Sequence, residues 1–268
     1  MSTLIKLALA MFALWAALVT LFTLMQGAIL FPRAMVGPAP SLPDAARRLT
    51  LPRPDGAELH GVLIPGRDAG RPVILGFGGN AWNAESMALF LHGTLPGYTV
   101  VAFHFRGYAP SSGSPSSAAL MADAESIHDF LVAEGMGDQI AIGFSIGGGL
   151  AAHLASTRGL QGAVLVTPFD SLQAVARQTL PWAPVRWLFR HDMDALGALR
   201  SSQAPVSLIL ATRDEVIPRA RSEALLTGLE QGAQPPVYLR RIPAGHNDIY
   251  AHPDFAPALR AALAALRD

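Results

Sequence analysis

Short apolar runs of strand length alternate with helical stretches along most of this chain, and this alternation limits its fold more than any other feature. Continuous apolar runs of this kind are typical of parallel strands that are buried on both faces. A helix between two such strands crosses over the sheet before the chain enters the next parallel strand. We therefore predict an α/β fold, with one mostly parallel central sheet and helices on both faces. The predicted strands are 72–77, 99–105, 139–144, 162–166, 206–211 and 237–242, and the predicted helices are 84–95, 117–134, 146–156, 219–231 and 253–266.

Two strand signals precede the parallel set, and one long segment interrupts it. Segments 48–52 and 58–65 flank a Pro-Asp-Gly turn, which predicts an antiparallel hairpin at the N-terminal side of the sheet. Segment 169–202 breaks the alternation with two prolines and a cluster of aromatic residues. We expect this segment to be a short insertion that lies over the carboxyl edge of the sheet as a lid.

The N-terminal segment is apolar around its whole circumference. No charged residue lies between Lys6 and Arg33, and this run exceeds the roughly 20 residues that a helix needs to cross a bilayer. A cleaved signal peptide has a shorter apolar core, and a helix buried in a core is apolar on one side only. We therefore predict a single-pass transmembrane anchor at 1–33, a Pro-rich linker at 34–46 and a folded domain at 47–268. Positive charges flank both ends of the span, so they do not decide its orientation. We expect the short N-terminal tail on the cytoplasmic side and the domain on the extracytoplasmic side.

Composition excludes several classes of protein. Twenty Lys and Arg residues balance twenty Asp and Glu residues, so no basic face supports nucleic-acid binding and no nucleic-acid partner is expected. The chain has no cysteine, which excludes disulfides, thiolate metal sites and a thiol nucleophile. We expect neither a metal nor an organic cofactor.

Ser145 is the candidate nucleophile. It stands in a G-x-S-x-G motif between the predicted strand 139–144 and the predicted helix 146–156. The motif alone is a weak signal, but a nucleophile elbow needs this strand-to-helix context, with glycines where side chains would collide with neighbouring backbone. Gly-rich packing between a strand and a helix is one alternative, and a phosphate-binding loop is another. The phosphate-binding loop is disfavoured because neither a Walker A lysine nor a G-x-G-x-x-G fingerprint is present.

A serine nucleophile needs a base, and the base needs an acid that orients it. Asp214 follows the predicted strand 206–211, and His246 follows the predicted strand 237–242. In open α/β sheets, groups that face a ligand gather just beyond strand ends, and the order Ser, Asp, His suits a serine elbow. We therefore predict a triad of Ser145, Asp214 and His246. The competing acids are Glu215, Asp248 and Asp170.

The oxyanion of an acyl-transfer intermediate requires two backbone donors. Ile146 directly follows the serine, so we predict that its N–H is one of them. The Gly-rich loop after the first parallel strand contains Asn80, and we predict that the Asn80 main-chain N–H is the second donor.

At this point the chain resembles a known family. The loop GFGGNAWN at 76–83 resembles the H-G-N-x-x-N stretch of a branch of the α/β-hydrolases, and segment 105–115 resembles its Y-R-G-Y-G-x-S-x-G-x-P stretch. That branch contains single-pass membrane abhydrolase-domain serine hydrolases and relatives of serine aminopeptidases. GFSIGGGLA, TPFDSL, ATRDEVIP and PAGHNDIY fit its other motifs, so the resemblance extends from about Arg47 to the C-terminus.

The resemblance implies an α/β-hydrolase fold, with Ser145 as nucleophile, Asp214 as acid and His246 as base. Two departures concern the surroundings of the site, since Gly78 stands where the family usually has His and His104 where Asp is common. A third departure is Ala109, which replaces a usual Gly.

The expected activity is that of a membrane-anchored serine hydrolase. It would cleave acyl esters or thioesters through an acyl-enzyme, with a small-molecule or lipid-like acyl compound as substrate and the membrane as its other partner. A serine aminopeptidase-like peptidase, an acyltransferase and a non-catalytic binding module of the same fold are the alternatives. The sequence leaves open the acyl group, the leaving group and the oligomeric state.

Overall fold

Eight strands form one sheet in the computed structural model, which describes residues 1–68, 70–232 and 234–267. The spatial order is β1-β2-β4-β3-β5-β6-β7-β8. The first two strands pair antiparallel and β2 pairs antiparallel with β4, whereas β3 to β8 are all parallel. The strands are β1 (Arg47–Pro52), β2 (Glu58–Ile64), β3 (Val73–Phe77), β4 (Val100–Phe103), β5 (Gln139–Phe144), β6 (Gly162–Val166), β7 (Val206–Ala211) and β8 (Tyr238–Ile242).

This topology confirms the predicted mostly parallel sheet with an N-terminal antiparallel hairpin. Three strands have the predicted bounds, four differ from them by one residue at one end, and the strand predicted at 99–105 differs at both ends. The strand predicted at 99–105 ends at Phe103 because the chain turns at the following residues. Strand β8 is exposed along part of its length, whereas its apolar run predicts a strand that is buried on both faces. It is the last strand of the sheet, so only one of its edges is paired.

Helices cover both faces of the sheet, and the sheet divides the hydrophobic core into two parts. Apolar residues of α3, α4, α7 and α8 pack on one face, and those of α2 and α9 pack on the other. Successive residues of a strand point to opposite faces, so Ala141 of β5 joins the first core while Ile140 and Ile142 join the second. The helices are α1 (Thr3–Leu30), α2 (Ala84–Thr94), α3 (Ser117–Ala133), α4 (Ile146–Thr157), α5 (Leu172–Thr179), α6 (Val185–Leu188), α7 (Ala195–Ser201), α8 (Arg219–Glu230) and α9 (Phe255–Ala265).

The segment 169–202 has two structural parts. Its first part, α5 and α6, lies beside the end of α1 and above Ser145. Its second part, α7, packs against α4 and belongs to the helical layer of the domain. The two parts are joined where Ser171 forms an isolated β-bridge with Asp194. Only α5, α6 and their connections therefore cover the carboxyl edge of the sheet.

The N-terminal helix α1 has 28 residues, a length of about 42 Å. Within the described ranges it is the one helix that is long and apolar enough to cross a bilayer. Its C-terminal end is attached to the domain, because the following residue Phe31 is buried in the core and its ring packs edge-on against His191, with 5.3 Å between the ring centroids. Beyond a helical turn at Arg33–Met35, the chain runs along the surface, where the side-chain amide of Asn83 donates to the Gly37 carbonyl over 3.2 Å.

Candidate active site

Ser145 occupies a strained turn between β5 and α4. Its backbone has φ 51° and ψ −118°, a conformation that non-glycine residues rarely adopt and that is often found at functional sites. Two glycines make the turn possible. A Cβ at Gly143 would lie 2.3 Å from the Gly147 carbonyl oxygen, and one at Gly147 would lie 2.2 Å from the Phe77 carbonyl oxygen. The G-x-S-x-G motif is therefore required by backbone contacts.

The three predicted triad residues lie in hydrogen-bonding contact. His246 Nε2 is 3.0 Å from Ser145 Oγ, and His246 Nδ1 is 2.8 Å from Asp214 Oδ2. All three side chains are buried. An ionised carboxylate only accepts hydrogen bonds, so Asp214 favours the tautomer with a proton on Nδ1. Nε2 then has a free lone pair that can accept the serine proton.

Backbone donors hold the acid in place. Asp214 Oδ1 accepts from the N–H groups of Val216 and Ile217 at 2.9 and 2.7 Å. The two donor residues lie in the connection between β7 and α8. Their hydrogen bonds hold the Asp214 carboxylate in an orientation that does not depend on its contact with the imidazole.

The adjacent Glu215 has a different contact. Its Oε2 accepts from the backbone N–H of His246 at 3.0 Å, so it holds the loop that carries the imidazole. Gly245 permits this approach, because a Cβ there would lie 2.7 Å from the same oxygen. Sequence reasoning considered Glu215 only as a competing acid and missed this positioning contact. Its one sequence signal was its place directly after Asp214.

The other two competing acids also have their own surroundings. Asp170 pairs with Arg221 at 3.1 Å, and burial raises the pKa of its carboxyl. The carboxylate of Asp248 lies close to Gly245 rather than to the imidazole, 3.2 Å from where a Cβ of that glycine would stand. Of the four acids considered, Asp214 is the one that contacts His246 Nδ1.

Ile146 and Asn80 flank the serine. Ile146 is the first residue of α4, and the N–H groups of the first helical turn have no partner within the helix. Asn80 follows Gly79, where an added Cβ would lie 3.8 Å from Ser145 Cβ. Both residues line the space in front of the hydroxyl. Their role as oxyanion donors stays a prediction.

The motif at 105–115 supports the Asn80 loop. The Tyr108 hydroxyl donates to Asn80 Oδ1 at 3.0 Å, and burial raises the pKa of Tyr108 above its ordinary value, so it remains a donor. Arg106 donates to both carboxylate oxygens of Asp123 at 2.9 and 2.6 Å, and these bonds raise the pKa of its guanidinium. Sequence reasoning recognised this segment by resemblance but did not identify its contact with Asn80.

The two departures from the family pattern differ in their surroundings. A Cβ added at Gly78 would lie 3.4 Å from Met87 Sδ and 3.5 Å from Trp82 Cβ, which is ordinary van der Waals contact, so nothing in the structure explains the glycine. The imidazole of His104 is buried, with no hydrogen-bond partner for either nitrogen within the described residues. Burial lowers the pKa of His104, so the neutral ring packs in the interior.

Two cavities meet at Ser145. The first, which we name the apolar chamber, has a volume of about 330 Å³ and lies between α1 and α5. The second, the polar cleft, has a volume of about 380 Å³ and lies over the loops that follow β3 and β8. The chamber is lined by Phe22, Gln26, Ile29, Leu30, Ile146, Phe169, Leu172, Val175, Ala176, Thr179, Leu180, Phe189 and Ile217. The cleft is lined by Gly79, Ala81, Trp82, His246, Asn247 and Tyr250, and both cavities by Asn80, Ser145 and Val216.

Aromatic packing shapes the floor of the polar cleft. The ring of Tyr250 lies 5.0 Å from that of Trp82 and 5.7 Å from that of Phe144. Burial raises the pKa of Tyr250 to about 12, so its hydroxyl stays protonated at neutral pH. The cleft thus combines a rigid aromatic side with polar groups at its rim.

A strained serine at a strand-to-helix turn, joined to a histidine and an aspartate beyond later strands of an open sheet, defines the α/β-hydrolase class. Residues 73–190 match the family described as alpha/beta hydrolase fold. An uncharacterized protein of Mycobacterium tuberculosis is 34% identical over 230 residues, which cover 82% of this chain and 79% of that protein. The chain belongs to the alpha/beta hydrolase family. This membership supports hydrolase activity in general.

Two further comparisons bear on structure and location. The chain is 29% identical over 130 residues to an uncharacterized membrane protein of Saccharomyces cerevisiae, with 46% of each chain covered. A crystal structure of the Pyrococcus furiosus esterase Pf2001 has a TM-score of 0.68 and 19% sequence identity, and the match covers 87% of this chain and 98% of that one. At this level of identity, the second comparison shows a shared fold.

Proposed function

We propose that this protein is a membrane-anchored serine hydrolase that cleaves acyl esters or thioesters. The observation that carries the proposal is the hydrogen-bonded chain from Ser145 Oγ through His246 to Asp214, at the point where both cavities meet. The chamber offers an apolar surface to an acyl chain, and the name of the Pyrococcus esterase agrees with ester chemistry on this fold.

The reaction follows from the positions of these groups. His246 Nε2 takes the proton of Ser145 Oγ as the oxygen attacks the acyl carbonyl carbon, and the carbonyl oxygen becomes an oxyanion. In this proposal the N–H groups of Ile146 and Asn80 stabilise that charge. The C–O or C–S bond then breaks, and the imidazolium gives its proton to the leaving alcohol or thiol.

Water completes the cycle. A water molecule attacks the acyl-enzyme while His246 accepts its proton, and collapse of the second intermediate releases the carboxylic acid and returns the proton to Ser145 Oγ. Asp214 holds the imidazole tautomer and stabilises the imidazolium in both halves of the reaction. The proposed reaction is a hydrolysis without change of oxidation state.

The location of the protein forms part of the proposal. We place the anchor at 1–33, the linker at 34–46 and the hydrolase domain at 47–268, with the lid within 169–202, and we expect the domain on the extracytoplasmic side. The length and apolar character of α1 support the anchor, as does the description of the yeast relative as a membrane protein.

Covalent labelling tests the nucleophile directly. The full-length protein in detergent micelles should react with a fluorescent fluorophosphonate, and Ser145→Ala should lose the label. Ser201→Ala is the matched control, since Ser201 is an exposed residue at the end of α7. Absence of label on folded wild type, or full labelling of Ser145→Ala, would overturn the proposal.

A substrate panel then separates the chemistries available to one triad. We expect p-nitrophenyl esters and acyl thioesters to be cleaved faster than aminoacyl amides. A preference for the amides would replace the proposal with a peptidase. Ester products formed in the presence of added alcohols would replace it with an acyltransferase.

A further inference from the structure

One wall of the apolar chamber comes from the N-terminal helix. Phe22, Gln26, Ile29 and Leu30 of α1 line it, and Val175 and Ala176 of α5 are among the residues that line it from the domain. Ser145 and Ile146 line the same chamber. The chamber therefore contacts the serine hydroxyl, and it is complete only when α1 is in place.

Polar contacts fix α1 against α5, α6 and their connections, which we call the lid. Gln26 is only 3% exposed, and a buried amide in an apolar helix is unfavourable unless it is hydrogen-bonded. Its Nε2 donates to the Leu188 carbonyl at 3.1 Å and to the Thr23 carbonyl at 2.8 Å, and its Oε1 accepts from the Arg190 N–H at 2.8 Å. These bonds fix the position of α1 along the lid and use both amide hydrogens.

A second contact extends the interface toward the N-terminus. Trp15 Nε1 donates to the Trp182 carbonyl at 2.9 Å. Trp15 and Gln26 are eleven positions apart, which corresponds to about 16 Å along the helix. The helix before Trp15 is only about 18 Å long, shorter than the roughly 30 Å of a hydrocarbon core. If α1 crosses the bilayer, the lid lies at the membrane surface or within it. The exposed Trp187 suits that location, because tryptophan favours the membrane interface.

We propose that α1 forms part of the substrate site, and that the acyl chain of a membrane lipid ester or thioester binds in the apolar chamber between α1 and α5. This inference rests on the proposed function. With the acyl carbonyl at Ser145, the chain runs between apolar side chains, and the Gln26 amide is already hydrogen-bonded to backbone. An aliphatic chain fills such a chamber favourably, whereas a charged substituent would lose its hydration without a partner.

The side chains of α1 then determine which acyl chains are accepted. The chamber falls within the size range of about 300–1,000 Å³ that is usual for ligand sites. An acetyl group occupies only the part beside Ser145, while a longer chain reaches Ile29 and Phe22. The ratio of kcat/KM for an octanoyl ester to that for an acetyl ester is therefore the quantity that α1 controls.

The absence of cysteine from the chain allows a clean test. Ile29→Cys places one thiol in the chamber wall, and the 57% exposure of Ile29 lets a reagent reach it. Leu24→Cys is the matched control, because Leu24 lies on the same helix, is 79% exposed and is outside the chamber lining. Both full-length variants are treated with benzyl methanethiosulfonate in detergent micelles, and the octanoate-to-acetate ratio is measured before and after.

We expect the ratio to fall at least about tenfold on modification of Ile29→Cys, because the added benzyl group takes up space that the octanoyl chain needs and a change of this size in a substrate pocket has about this effect. Modification of Leu24→Cys should not change it. Ala176→Phe narrows the chamber from the facing helix and should lower the ratio in the same direction without any reagent. Fluorophosphonate labelling of each variant reports whether its site is folded.

The two proposals fail in different ways. If folded wild type is not labelled at Ser145 and cleaves neither ester, the proposed function is wrong. If wild type is labelled and cleaves acetate, but a labelled Ile29→Cys adduct or a labelled Ala176→Phe variant keeps the wild-type ratio, the role of α1 is wrong. A lower ratio in these labelled variants, with no change in the control, supports it.

Discussion

The apolar chamber and the polar cleft share one hydroxyl but are built from different parts of the chain. The cleft consists of loops that follow β3, β5, β7 and β8, where the sheet presents its carboxyl ends. The chamber consists mainly of α1 and residues 169–189, neither of which contributes a strand. Loops at the sheet edge therefore supply the cleft, whereas helices outside the sheet supply most of the chamber.

This difference separates chemistry from selectivity. The groups on the cleft side, including His246 and the Asn80 loop, act on the reacting carbonyl in the proposed mechanism. In the proposed substrate pose, the side chains of α1 and α5 contact only the acyl chain. Changes in the triad should lower kcat/KM for all substrates alike. Changes in the chamber should alter only the preference for the acyl chain, and changes in the cleft only the preference for the leaving group.

The largest effect is expected from a change that does not distinguish the cavities. Asp214→Asn removes the charge that orients His246 Nδ1, and equivalent changes in serine triads lower kcat by about 10⁴-fold. We expect losses of this order for acetyl and octanoyl esters alike, measured as kcat/KM. Asp248→Asn is the control and should retain most activity, and a similar loss in both variants would argue against Asp214 as the acid.

The next effect should appear only in the apolar chamber. Phe22→Ala enlarges its α1 wall, so the preferred acyl chain should become longer, with a change of about tenfold in the ratio of rates for long and medium chains. A series of p-nitrophenyl esters with increasing chain length measures this shift. Leu21→Ala alters the exposed neighbouring residue and should leave the preference unchanged. An unaltered profile in Phe22→Ala would place the acyl chain elsewhere.

A smaller effect should appear only in the polar cleft. Asn247 lies at its exposed rim, and Asn247→Trp narrows the space available to the leaving group. We expect esters of bulky alcohols to be cleaved about fivefold more slowly relative to methyl esters, somewhat less than the roughly tenfold of a contact inside a pocket, because Asn247 lies at the rim. The acyl-chain profile should stay that of wild type. A shifted acyl profile would show that the two cavities do not divide the substrate in this way.

The smallest expected effect is a difference in lipid contact between the lid and the polar cleft, measured as quenching of tryptophan fluorescence. In vesicles containing brominated lipids, tryptophans at the bilayer surface should be quenched. Trp187 on the lid is 78% exposed, whereas Trp82 packs against Phe144 and Tyr250 in the cleft. Trp187→Phe should therefore remove more of the quenched emission than Trp82→Phe. Equal losses would indicate that the lid does not face the lipid.

Much of the sheet could be predicted because its signals are local. The strands at 139–144, 162–166 and 206–211 have the predicted bounds, since each is a short apolar run that must be buried on both faces. The position of β4 between β2 and β3 was not predicted. Strand order depends on how helices pack across the sheet, and no local pattern encodes it.

The site shows the same division at the level of single residues. The motif around Ser145 and the place of Asp214 and His246 after strands were readable, because the geometry of an elbow restricts which residues fit. The contact of Glu215 with the His246 backbone was not, since two adjacent carboxylates look alike in a sequence. The Tyr108 bond to Asn80 likewise joins loops 28 residues apart.

By itself, the sequence determined the class of fold, the serine elbow and the presence of one long apolar helix, because each depends on neighbouring residues in the chain. Only the tertiary structure decided that Glu215 contacts the backbone of His246 and what the apolar helix packs against. Gln26 and Leu188 are 162 positions apart, and contacts over such separations arise when the whole domain packs. For that reason α1 reads as an anchor in the sequence and as a wall of the apolar chamber in the folded protein.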